Sequence, residues 1–152
     1  MPSNAHRNRT AYLIAALVSL ACPPRSAVLR ADTWTTWRGP TGDNHAAEGN
    51  QVPLRWNFET GENIAWKTPV PGKGHSTPIV TDDFIFLTTS NVGERTQSLL
   101  KFSRDDGRML GQWVLHTGTL PRRIHPNNSH ASPTPVVHED HLLVSFYTDD
   151  AI

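Results

Sequence analysis

Apolar residues in this chain come in short runs broken by polar turns. Ile79-Val80, Phe84-Ile85-Phe86-Leu87, Leu99-Leu100 and Val136-Val137 with Leu142-Leu143-Val144 are the clearest examples. Runs of this length, rich in β-branched and aromatic residues and flanked by Asp, Asn and Gly, are the signature of strands joined by hairpins. The pattern predicts strands over Thr77–Val80, Phe84–Thr89, Ser98–Ser103 and Arg108–Leu115, linked by Thr81-Asp82-Asp83, by a polar loop from Asn91 to Gln97 and by Arg104-Asp105-Asp106-Gly107. A shorter strand is expected over Asn63–Thr68, after the turn Thr60-Gly61-Glu62. Two more, Pro133–Val137 and His141–Tyr147, follow an irregular stretch from Thr117 to Ala131. Outside the first 31 residues no window of eleven carries a helical period, so the fold class is all-β.

The pattern also repeats. His75-Ser76-Thr77-Pro78-Ile79-Val80 followed by Asp82-Asp83 and Phe84 to Leu87 returns loosely as Ser132-Pro133-Thr134-Pro135-Val136-Val137 followed by Glu139-Asp140 and Leu142 to Val144, with Pro78 and Pro135 57 residues apart. A supersecondary unit recurring at that spacing has the length of a propeller blade. Four hairpin-linked strands make one blade and the last two begin a second, so the chain holds about one and a half blades of four-stranded antiparallel sheet. The organisation expected is a leader over 1–31, a lead-in loop rich in Gly, Pro and Asn over 32–62, and a partial repeat domain over 63–152.

The leader is read from His6-Arg7-Asn8-Arg9 ahead of the apolar run Ala11 to Ala21, a positive segment before an apolar one too short to span a bilayer. Cleavage near Ala27 or Ala31 would export the chain to the periplasm or the outside, with the mature form starting near Asp32. The one cysteine, Cys22, closes the apolar run; Ser19-Leu20-Ala21-Cys22 lacks the aliphatic residue that a lipid-attachment site carries three positions before its cysteine. The N-terminal segment is the one route to a membrane. Its four arginines and no acid leave ten basic residues against fourteen acidic ones in the remainder, and no basic run is longer than Arg122-Arg123. A phosphate-binding footprint is missing, so no nucleic-acid partner is expected.

The order Trp37-Arg38-Gly39-Pro40, Asn63-Ile64-Ala65-Trp66-Lys67, Pro71-Gly72-Lys73-Gly74-His75-Ser76-Thr77-Pro78 and Asn128-Ser129-His130-Ala131-Ser132-Pro133-Thr134-Pro135 resembles exported pyrroloquinoline-quinone-like (PQQ-like) β-propeller repeat proteins, a quinoprotein-like fold. The resemblance implies that Asp106-Gly107-Arg108 with Trp113, or Gly61 with Trp66, supplies the tryptophan that docks between blades; the indole would fill a wedge between twisted sheets and its N–H would meet a neighbouring carbonyl. It also implies, as an alternative function, the N-terminal part of a quinone-dependent dehydrogenase of alcohols or sugars, using pyrroloquinoline quinone with calcium.

That chemistry needs a carboxylate base and oxygen ligands for the cation. The paired acids Asp82-Asp83, Asp105-Asp106, Glu139-Asp140 and Asp149-Asp150 all fall at expected turns, where Asp serves the backbone. His125, His130, His138 and His141 show no metal-binding spacing, and Gly72-Lys73-Gly74 lacks the remaining parts of a kinase loop. No catalytic, cofactor-binding or metal-ligating residue is assigned. The candidates for ligand contact are Arg122, Arg123, His125, Asn127, Asn128, Ser129 and His130, in the long connection between blades, because such connections line a propeller face. The expectation is a non-catalytic segment that binds a protein or small molecule, and an isolated chain that leaves Ile79, Phe84, Phe86, Leu100, Phe102 and Trp113 uncovered on one blade face.

Overall fold

A computed structural model describes residues 33–46, 48–49 and 53–149. The expected leader, with Cys22, lies outside them, as does Asp150. The described residues are all-β: six strands and no helix, hence none long and apolar enough to cross a membrane. A four-stranded antiparallel sheet is formed by β1 (Ile79–Val80), β2 (Phe84–Asn91), β3 (Thr96–Ser103) and β4 (Met109–Thr117) in sequential order, and β5 (Val136–His138) pairs with β6 (His141–Leu143) in a separate hairpin.

The turns follow from their residues. Thr81 accepts the Phe84 N–H on its hydroxyl and donates its own N–H to the Phe84 carbonyl, which closes β1 onto β2. Asn91 Oδ1 accepts the Glu94 N–H at the start of the β2–β3 turn. Between β3 and β4, Gly107 takes a positive φ of 70° and its N–H reaches the Ser103 carbonyl, a conformation that costs glycine little.

Four expected strands come out shorter or absent, among them Pro133–Val137, of which only Val136 and Val137 join β5. Residues 64–70 form no strand, because Trp66 is turned toward the β3–β4 turn and no neighbouring strand is offered to its backbone among the described residues. Thr77 spends its N–H on the Thr134 hydroxyl, so β1 begins only at Ile79. His141 to Asp149 alternates exposed and half-buried residues throughout, yet it is laddered only as far as Leu143, where β5 ends.

Register sorts the core. Ile79 faces Phe86 and Trp113 faces Leu99, on the side of the sheet that also carries Phe84 and Thr88. Leu100 faces Leu87 and Phe102 faces Ile85, on the other side. The six residues expected to share one blade face are therefore divided between two, since directly paired side chains lie on the same side and neighbours in sequence on opposite sides. Nor are they uncovered as a set: Ile79, Leu100 and Phe102 are buried within this chain, whereas Trp113 is 47% exposed.

Candidate functional site

The β1 margin of the sheet is where the two copies of the repeat meet. Thr77 N–H donates to Thr134 Oγ1 at 3.0 Å, and these two threonines occupy the same position in the two copies, 57 residues apart. Around this bond the His75 N–H reaches the Ala131 carbonyl at 2.9 Å, the Thr88 N–H reaches Ser76 Oγ at 2.9 Å, and the Thr88 hydroxyl lies 3.3 Å from the carbonyls of both Ala131 and Pro133. Thr88 is wholly buried, so these partners are what make its position on a core-facing strand tolerable. Gly74 belongs here for a steric reason: a Cβ at that residue would collide with the Thr88 carbonyl.

The long connection after β4 is also tied to β3 by a buried amide. Gln97 Nε2 on β3 donates to the carbonyls of His130 and Tyr147, which pins both the loop and the chain beyond β6 to the sheet. Asp149 N–H donates to the Thr119 carbonyl, and the Arg122 N–H reaches Asp149 Oδ2. Within the loop, Asn128 N–H returns to the His125 carbonyl, Ser132 Oγ donates to Asn128 Oδ1, and Ala131 N–H reaches Ser129 Oγ. The turn is thus knitted largely by its own Asn and Ser side chains.

These restraints leave a cleft of about 400 Å³ between Pro121, Ile124, Asn128, Ser129, His130, Ser132, Pro133 and Tyr147. A second cleft of about 370 Å³, on the other side of Pro121 and His130, reaches Val92, Arg95 and Arg122. The lining of the first is mostly apolar, from Pro121, Ile124, Pro133 and the Tyr147 ring, with a few amide, hydroxyl and imidazole groups and no Lys, Arg, Asp or Glu, so it offers an apolar, partly aromatic wall with few hydrogen bonds to a neutral group. Beneath it Gln97 Oε1 and His130 Nδ1 are buried without a hydrogen-bond partner among the described residues.

Of the residues expected to contact a ligand, Asn128, Ser129 and His130 line the first cleft, and Arg122 with His130 lines the second. Arg123, His125 and Asn127 are exposed; His125 Nδ1 accepts the Asn127 N–H and serves the turn. Tyr147, Ser132 and Pro133 were not among the candidates. Tyr147 lies sixteen or more residues from the rest of the loop, and its segment is brought back by the Gln97 bond and by the Asp149 bonds to Thr119 and Arg122.

The acids act locally. Asp106 is held below the ordinary carboxylate pKa by the Ser103 hydroxyl, then by the Arg108 N–H at 3.0 Å and the Arg108 charge. Asp43 is lowered to about 2, first by the Thr41 hydroxyl and then by the His45 N–H. Both are exposed turn residues. No three His, Cys, Asp or Glu side chains gather as a metal cage among the described residues.

The two tryptophans expected to pack blades behave differently. Trp66 lies flat against Gly107, where a Cβ would clash with its ring, and its Nε1–H donates to the Arg104 carbonyl at 3.0 Å. Trp113 folds back over Gly111 on β4 and remains half-exposed. No family model, curated protein or solved structure matches this chain.

Proposed function

We propose that the chain is part of an exported β-propeller of the pyrroloquinoline-quinone-like type that binds a ligand rather than transforming one, with the His130 cleft as the contact surface. The observation that carries this reading is the Thr77 to Thr134 bond. It joins equivalent positions of two sequence copies, the kind of contact expected between the first strands of consecutive blades around a common axis. The connection between them is long, polar and knitted by its own side chains, the usual character of a binding loop on a rigid sheet. The lining of the cleft is mostly apolar, has no Lys, Arg, Asp or Glu and includes the 69% exposed Tyr147, which favours a neutral ligand with a flat apolar face.

The test is a titration of the full-length protein with pyrroloquinoline quinone and calcium, followed by tryptophan fluorescence, and an assay of alcohols and aldoses with an electron acceptor. The binding reading expects no quinone-dependent turnover. It expects instead that a panel of neutral saccharides and peptides contains a ligand that raises the melting temperature, and that Tyr147→Ala and His130→Ala lose this shift while the unliganded melt changes little. Quinone-dependent oxidation would replace the reading with that of a dehydrogenase.

A further inference from the structure

The His130 cleft does not end at Pro133. Ser132 and Pro133 also line a neighbouring cleft of about 400 Å³, whose other walls are Thr134 and the Trp37 ring. Neither cleft is lined by a Lys, Arg, Asp or Glu, and each has one large exposed aromatic, Tyr147 at 69% in the first and Trp37 at 61% in the second. The Arg38 guanidinium stands over the Trp37 ring, 5.3 Å from its centroid. Two apolar hollows with a proline between them call for an extended occupant rather than a single ring.

The hydrogen-bonding groups of this surface are unbalanced. Its acceptors are engaged within the chain: Asn128 Oδ1 and the Ser129 carbonyl share the Ser132 hydroxyl, the His130 and Tyr147 carbonyls accept from the Gln97 amide, the Pro133 carbonyl meets the Thr88 hydroxyl, and Thr134 Oγ1 accepts the Thr77 N–H. Gln97 Oε1 and His130 Nδ1 have no donor, but both are buried out of a ligand's reach. The donors are in the opposite state. Trp37 Nε1–H, the Tyr147 hydroxyl and the Asn128 Nδ2 protons hydrogen-bond to no group among the described residues. A ligand here is offered N–H and O–H groups and finds few acceptors for its own.

We propose that the two clefts together bind a proline-rich segment of another protein in the polyproline II conformation. Proline has no N–H, so such a chain presents carbonyls alone and asks only for donors. Its helix repeats every third residue, which puts successive prolines on one face, one for each cleft, and their rings are apolar and uncharged as the walls are. The preset backbone loses little entropy on binding, so aromatic walls and a few donors are enough to hold it. An oligosaccharide would bring hydroxyl protons that this surface leaves without acceptors, and an ordinary peptide would bring N–H groups with the same fault. This ligand class presupposes the His130 cleft as a contact surface and extends that surface to Trp37.

The test is calorimetric titration of the full chain with acetylated and amidated decaproline, with maltotetraose and a glycine-serine decapeptide as controls. Saturable binding of decaproline alone is expected. Tyr147→Phe and Trp37→Phe each keep an aromatic wall and remove one donor, so each should weaken binding about fivefold, as the loss of one hydrogen bond does. The unliganded melt should stay in place, because both side chains are exposed. Absence of decaproline binding overturns the assignment; a melting shift produced by maltotetraose through Tyr147 would in that case leave the His130 cleft standing as a contact surface. Decaproline binding that both phenylalanine variants leave unchanged overturns it as well, since the donors would then play no part.

Discussion

The two margins of the four-stranded sheet are opposites. β1 has only two residues, yet the chain crowds against this margin of the sheet: Trp34 exchanges both backbone bonds with Val80, Lys73 does the same with Ser90 where β2 runs past β1, and the second repeat supplies Thr134 to Thr77 and Ala131 to His75 and Thr88. β4 has nine residues, and no other segment among the described ones pairs with it beyond β3. The length of a strand thus says little about how firmly it is held. The short margin is the one built from bonds between residues far apart in sequence, and the long margin is a local hairpin product with one side finished.

The largest difference should appear when side chains are truncated at the two margins. Ile79→Ala removes a fully buried side chain and should cost about 2 to 5 kcal/mol in urea unfolding, whereas Leu110→Ala on β4 should cost less than about 1 kcal/mol, as exposed positions do. Equal losses would mean that β4 is covered as thoroughly as β1. Next in size is Gly107→Ala, which combines a left-handed backbone with a clash against the Trp66 ring. Strain of about 1 to 2 kcal/mol and overpacking of about 1 to 3 should add to a loss near 3 kcal/mol, visible as a lowered urea midpoint at unchanged slope.

A smaller effect sharpens the repeat contact. Thr134→Val keeps the shape of the side chain but leaves the Thr77 N–H without its acceptor, at a cost of about 1 to 2 kcal/mol for a half-buried donor. Thermal melts of Thr134→Val and Thr134→Ser distinguish the hydroxyl from the volume, because serine should recover most of the loss. The smallest expected change is in acid. Asp106 has its folded pKa lowered below 3.8, so the stability it contributes is complete above that value and is lost as the pH falls toward the folded pKa. Asp106→Asn should flatten that part of a melting series from pH 5 to pH 2, and an unchanged acid limb would show that the Ser103 and Arg108 bonds survive in the unfolded turn.

The local half of this architecture was legible in the sequence. Phe84 to Leu87, Leu99-Leu100 and the Asp-rich turns specify hairpins through neighbours only, and the structure forms them within one or two residues at most ends. The misreadings fell where a distant partner decides. Asn63 to Thr68 has strand composition, but Trp66 finds Gly107 and Arg104 instead of a ladder. Leu100 and Phe102 were placed on the face of Ile79 because their side alternation depends on the register with β2, which nothing local announces. In the candidate site, Asn128, Ser129 and His130 could be picked out by their place in a long polar connection, while Tyr147 could not, since its position depends on a glutamine 50 residues earlier.

That glutamine gives the molecule an order of assembly. The β2–β3 and β3–β4 turns span only a few residues and can close within microseconds. Gln97, by contrast, joins carbonyls 33 and 50 residues downstream, and loops of that length have to be gathered before its amide is satisfied. The hairpins of the sheet need only local closure, whereas the cleft needs distant segments gathered by Gln97 together with the bonds from His75, Thr88 and Asp149. One wholly buried side chain thus ties both walls of the cleft to the same strand, so a change at Gln97 is felt by the His130 loop and the Tyr147 segment at once.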